Sequence, residues 1–135
     1  MLKKTVLALM ILLITAGIAF AVDIEEIKAP EGFQKDVGVI LTKDNYEISI
    51  LKLGDVDSDF LFDEDDDYKV SEYENNTYNF TDKLLEHAGA FEVVEIDGEK
   101  YFIECYQRNA TSDNGSAYDC LCEFNSLNNL KPIKP

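Results

Sequence analysis

The 135-residue chain has no tryptophan, a single histidine (His87), a single arginine (Arg108), three prolines and three cysteines. One histidine cannot supply a zinc-binding His pair, and the chain contains neither a glycine-rich phosphate loop nor a nucleophile elbow. Basic residues are also scarce. Twelve Lys+Arg against 27 Asp+Glu leave a formal net charge of −15. A groove that follows nucleic-acid phosphates must be basic, so nucleic-acid partners are excluded, and anionic lipid headgroups would repel the same surface.

What is present begins with a leader. Lys3 and Lys4 precede an uncharged stretch from Thr5 to Val22 that contains Ala19-Phe20-Ala21, the small-x-small pattern of a secretory cleavage site. Residues 1–21 are therefore expected to be a signal peptide or, if uncleaved, an N-terminal anchor. About 18 apolar residues lie at the lower edge of what spans a bilayer. Residues 22–135 then form a single secreted or extracytoplasmic domain, with no other membrane contact. All 27 acids lie in it against ten basic residues, a net charge of −17. Leu, Ile, Val and Phe supply 31 of its 114 residues, above the level of roughly 20% at which a highly charged chain stays disordered.

The apolar pattern predicts an α+β fold, an antiparallel sheet of hairpins covered on one face by a C-terminal helix. Val37 to Thr42 and Tyr46 to Leu53 read as strands joined by Lys43-Asp44-Asn45. Ala90 to Gln107 reads as a second hairpin about Asp97-Gly98, a pair suited to a two-residue turn that needs φ > 0 at both positions. Two-residue closure places Ile96 opposite Glu99, Glu95 opposite Lys100, Val94 opposite Tyr101, Val93 opposite Phe102 and Glu92 opposite Ile103. One face then carries Val94, Ile96, Tyr101, Ile103 and Cys105. The other is expected to be mixed, with Glu95 and Lys100 as an ion pair.

Thr81-Asp82 is expected to cap a short helix running through His87 and stopped by Gly89. His87 would then complement the helix dipole. Ser116 to Leu130 reads as a longer helix, with Ala117, Cys120, Leu121, Phe124 and Leu127 on one stripe and Asp119, Asn125 and Asn129 outside it. Pro132 prevents its continuation.

Three features could carry chemistry. Between Asp55 and Glu74 lie ten carboxylates and one lysine, an oxygen-rich run that suits a hard cation such as Ca²⁺. One loop register takes Asp55, Asp57, Asp59, Asp63 and Asp66; the second takes Asp63, Asp65, Asp67, Ser71 and Glu74. Both put an aromatic residue, Phe60 or Tyr68, where the turn demands glycine. The competing expectation is a solvated acidic loop or edge strand that resists aggregation. Sequons begin at Asn75, Asn79, Asn109 and Asn114 and would accept N-glycans in a cell that makes them. Cys105 on the apolar strand face and Cys120 on the helix stripe suit a disulfide, whereas Cys122 is turned away; buried free thiols are the alternative in an anaerobe. No spacing supports a nucleophile–base pair of Cys105 with His87.

The run YENNTYNFTDKLLEHAGAFEVVEIDGEKYFIE (73–104), with EFNSLNNLKPI (123–133) and APEGF (29–33), resembles small, acidic, Asn- and Tyr-rich exported proteins of methanogenic archaea. The resemblance implies an archaeal envelope setting and brings over no functional residues. The sequence thus points to a non-enzymatic exported envelope domain that works by binding or surface interaction with an envelope or extracellular ligand. A Ca²⁺-binding module using residues 55–74 is the first alternative, and a hydrolase using paired carboxylates is the second.

Overall fold

The computed structural model describes residues 27–35, 40–113 and 115–135; the leader, positions 37–39 of the first expected strand and the sequon at Asn114 lie outside them. The strands are β1 (Gln34–Lys35), β2 (Ile40–Lys43), β3 (Tyr46–Lys52), β4 (Tyr68–Glu74), β5 (Thr77–Asp82), β6 (His87–Ile96), β7 (Glu99–Arg108) and β8 (Pro132–Ile133). A 3₁₀ turn spans Ser58–Phe62, and helix α1 spans Ser116–Asn128. Every strand pairing is antiparallel, in the order β1-β2-β3-β7-β6-β5-β4, with β8 added beside β6. The expected α+β fold is the one observed.

The central hairpin β6–β7 follows the expected register, from Ile96 opposite Glu99 to Glu92 opposite Ile103. Its turn residues Asp97 and Gly98 both adopt positive φ, 52° and 82°, so the backbone twist of the turn matches that of the strands. Glu95 does face Lys100 in register, but the ion pair at this end joins Lys52 to Glu99 at 3.9 Å. The Asp44 turn between β2 and β3 is also as expected, with Asp44 at φ 53°.

Helix α1 packs on β6 and β7 as predicted, burying Ala117, Tyr118, Leu121 and Phe124. Its first turn is held by Asp113, whose Oδ2 accepts the N–H groups of Gly115 at 3.0 Å and Ala117 at 3.4 Å, satisfying donors the helix cannot. It ends before Pro132: Asn129 enters the left-handed region at φ 54° and donates its N–H to the Asn125 carbonyl. Leu127 is 37% exposed and Cys120 half-buried, so the stripe is narrower than expected. Asn128 ties the N-terminal segment to the helix by accepting the Lys28 N–H at 2.8 Å and donating to its carbonyl at 2.9 Å.

The expected short helix over 81–87 does not form. Thr77–Asp82 and His87–Ile96 are strands, and Asp82 uses its carboxylate on the N–H groups of Leu84 and Leu85, at 3.0 and 3.1 Å. This is the chemistry of a cap serving a turn, because pairing in the sheet on both sides outweighs one turn of helix. Gly89 is no helix stop either. It lies within β6, where an added Cβ would stand 2.1 Å from the Cys105 carbonyl oxygen. Strands β4 and β5 turn about Asn75 and Asn76, at φ 53° and 59°, a pair that asparagine tolerates better than most residues.

The second face of the sheet is packed rather than mixed. Phe91, Val93, Phe102 and Tyr106 are all buried there. The acidic segment after β3 folds across them, inserting Leu61 and setting the Phe62 ring 4.8 Å from Tyr78 and 5.8 Å from Phe91. Tyr68 anchors this cover by donating its hydroxyl to the Leu61 carbonyl at 2.6 Å. Its apolar run Phe60-Leu61-Phe62 thus makes an acid-rich segment a third layer of the fold.

Candidate functional site

The tip of the β6–β7 hairpin and the start of the acidic cover meet in an open depression of about 650 Å³. The tight Asp97-Gly98 turn brings Glu95, Glu99 and Lys100 to one side, and the chain, turned by Gly54 at φ 59°, runs past them through Asp55, Asp57 and Asp59. Five carboxylates thus line the hollow beside one lysine, and Val56 on its wall is 57% exposed. Asp57 is held in place by accepting the Asp59 N–H at 3.0 Å as the cap of the 3₁₀ turn. A site of this make-up attracts cations and donors of several hydrogen bonds, and its openness suits an extended partner.

The five residues of the proposed Ca²⁺ register lie in different settings. Asp63 ends the 3₁₀ turn. Asp65 accepts the N–H groups of Asp67 and Tyr68 at 2.7 and 2.8 Å. Ser71 and Glu74 lie along β4, and Glu74 accepts the Tyr118 hydroxyl at 2.7 Å. Among the described residues no group of three or more His, Cys, Asp or Glu side chains is arranged to hold a metal ion. Of the described sequons, Asn75 and Asn109 are exposed on turns, while Asn79 sits within β5 with its amide oxygen buried.

Cys105 and Cys120 are brought together as expected but remain free thiols; Cys122 is exposed. The hydrogen bond with Cys120 and burial both push the Cys105 thiol well up. Cys105 shares the helix-covered face with Ala90, its register partner, whereas His87 lies on the opposite face, so the two cannot act on one substrate. His87 begins β6 and stacks on Tyr106 with ring centroids 4.2 Å apart. Burial lowers its pKa, against the pull of Glu47 and Asp82. The helix-dipole role expected for it is thereby replaced by packing on an aromatic ring.

Two buried glutamates were absent from the expected site residues. Glu92 is 0% exposed beneath α1, where its Oε2 accepts the Asn125 side-chain amide at 2.9 Å. Glu104 is 3% exposed on the opposite face, accepting the Ser49 hydroxyl at 3.1 Å. Burial raises each pKa from 4.5 to about 7. The signal for Glu92 lay in the hairpin register, which gives it the same face as Val94 and Ile103. Asn125, expected outside the helix stripe, is half-buried because its amide turns inward to this carboxyl.

Glu104 heads a polar group that includes Asp82 and Glu47, whose charges add to its raised pKa. Glu47 also accepts the Tyr106 hydroxyl and pairs with Arg108 at 3.2 Å. Asp82 and Glu104 are 2% and 3% exposed, enclosed between the sheet and its acidic cover. No family model, curated protein or solved structure matches the chain.

Proposed function

We propose that this is an exported envelope domain, in the archaeal setting its resemblance implies, that acts by binding rather than catalysis. The observation that carries the reading is the open hollow of about 650 Å³ at the hairpin tip, lined by Asp55, Asp57, Asp59, Glu95 and Glu99. Its partner would be cationic: a polyamine, or a lysine-rich segment of another envelope protein. A net charge of −17 after the leader would steer such partners from a distance and repel anionic ones. Catalysis is disfavoured by the placement of the reactive groups. Cys105 and His87 occupy opposite faces, and Glu92 and Glu104 are buried on opposite sides of one hairpin, where they cannot act as a pair.

The test is titration of the purified protein with spermidine and with a lysine-rich peptide, followed by backbone amide shifts. Shifts centred on residues 54–59 and 95–100, weakened by salt and by the triple variant Asp55→Asn, Glu95→Gln, Glu99→Gln, are expected. No perturbation at low ionic strength, or shifts centred elsewhere, would overturn the reading.

A further inference from the structure

The contact between Glu92 and Asn125 is half of a well-known shape. A primary amide and a carboxyl group can close a ring with two hydrogen bonds, N–H to one oxygen and O–H back from the other. The first is present, from the Asn125 amide to Glu92 Oε2 at 2.9 Å. The atoms that would make the second, Glu92 Oε1 and Asn125 Oδ1, are both buried and both without a hydrogen-bond partner. Two buried acceptors left unsatisfied in one pair are costly. Rotating the amide would only exchange the bond, pairing its nitrogen with Oε1 and setting its oxygen against Oε2, so two acceptors stay unsatisfied in either orientation. One proton on Oε1 satisfies both atoms at once.

We propose that Glu92 is held as the neutral acid in the folded protein and that its proton closes a cyclic acid–amide clasp with Asn125, latching helix α1 to the sheet. The surroundings favour this. Strand β5 offers Thr77 opposite Glu92 and Asn79 beyond it; β8 offers Pro132 and Ile133 beside β6. Strand β7 contributes Ile103 opposite Glu92, flanked on that face by Tyr101 and Cys105. Helix α1 contributes Tyr118 and Cys120 as its titratable groups nearest the buried stripe, and β4 sends Glu74 to the Tyr118 hydroxyl. Among the described residues no amine or guanidinium balances a carboxylate here. Burial is the main cause of the raised pKa of Glu92, with the Asn125 amide alone opposing it.

The clasp is strongest in mild acid and opens as Glu92 ionises, loosening α1. Carbon-13 titration of the side-chain carboxyls in the purified protein reads the proton directly. A Glu92 midpoint near 7 is expected in place of the ordinary value near 4.5. Hydrogen exchange gives a second readout: protection of the α1 amides should fall about tenfold between roughly pH 5 and pH 8. Glu92→Gln offers an amide that closes the same ring without a titrating proton, so its α1 protection should not change with pH. A Glu92 midpoint in the ordinary range would overturn the proposal in the unmodified protein, whether or not the variant folds. Helix protection that stays pH-dependent in a folded Glu92→Gln variant would overturn it as well.

Discussion

Glu64 reaches forward to accept the N–H of Val70 at 3.1 Å, covering a backbone donor on the outer side of β4. Asp65 does the same for Tyr68 at 2.8 Å, while its own N–H donates to the Tyr68 carbonyl at 3.0 Å. Strand β4 is an edge of the sheet, and an open edge is a template for pairing with another chain. Part of the acidic run is thus an edge cap made of carboxylates.

Removing that cap should expose the edge. The double variant Glu64→Ala, Asp65→Ala is expected to lose about 1–3 kcal/mol and to self-associate with rising concentration. Analytical ultracentrifugation checks it; a strictly monomeric variant would show that charge elsewhere on the edge is sufficient.

The close approach at Gly89 makes a second prediction. Gly89→Ala places a Cβ 2.1 Å from the Cys105 carbonyl oxygen and 2.6 Å from the Tyr106 Cα, backbone atoms that cannot swing aside. A loss of about 3 kcal/mol or more is expected by chemical denaturation. Gly98→Ala, with open space around its Cβ but φ 82°, should cost less, about 1 kcal/mol.

Glu104 contributes to the pH dependence of stability alongside Glu92. Its pKa is raised from 4.5 unfolded to about 7 folded, mainly by burial, so the folded state holds a proton that the unfolded state releases between these values. Its contribution is complete below about pH 4.5 and is lost as pH rises through about 7. The loss should amount to about 3 kcal/mol, and Glu104→Gln should remove it from the curve of stability against pH.

Oxidation should join Cys105 to Cys120. Both are free and adjacent, so the purified protein under a thiol oxidant is expected to lose two hydrogens by intact mass, with Cys122 still open to alkylation. Closing that loop should add about 3 kcal/mol. A bridge involving Cys122 instead would contradict the placement of α1.

Calcium distinguishes the acidic cover from a metal loop. With Asp57, Glu64, Asp65 and Glu74 each engaged in a hydrogen bond, millimolar Ca²⁺ should leave the melting temperature unchanged. A ligand that binds only the native state must raise it, so a rise lost in Asp63→Asn or Glu74→Gln would favour the metal-binding reading.

Local rules within the sequence were enough for the β6–β7 hairpin, its register, the β2–β3 turn and the C-terminal helix. A two-residue Asp-Gly turn fixes which residues face each other, and the 3.6-residue period fixes which side of a helix is apolar. Cys105 and Cys120 met because each lay on the face its own element had to bury. Tertiary structure decided the rest. Residues 81–89 carry a cap, good helix formers and a glycine stop, yet pairing with β6 and β7 made them strand and turn, since long-range ladder bonds outweigh a single helical turn. Charge concealed the role of residues 55–67, whose few apolar side chains matter only once Phe91 and Phe102 lie beneath them. The burial of Glu92 and Glu104 was likewise set by what covers each face: a helix bearing Asn125 on one side and an acidic segment on the other.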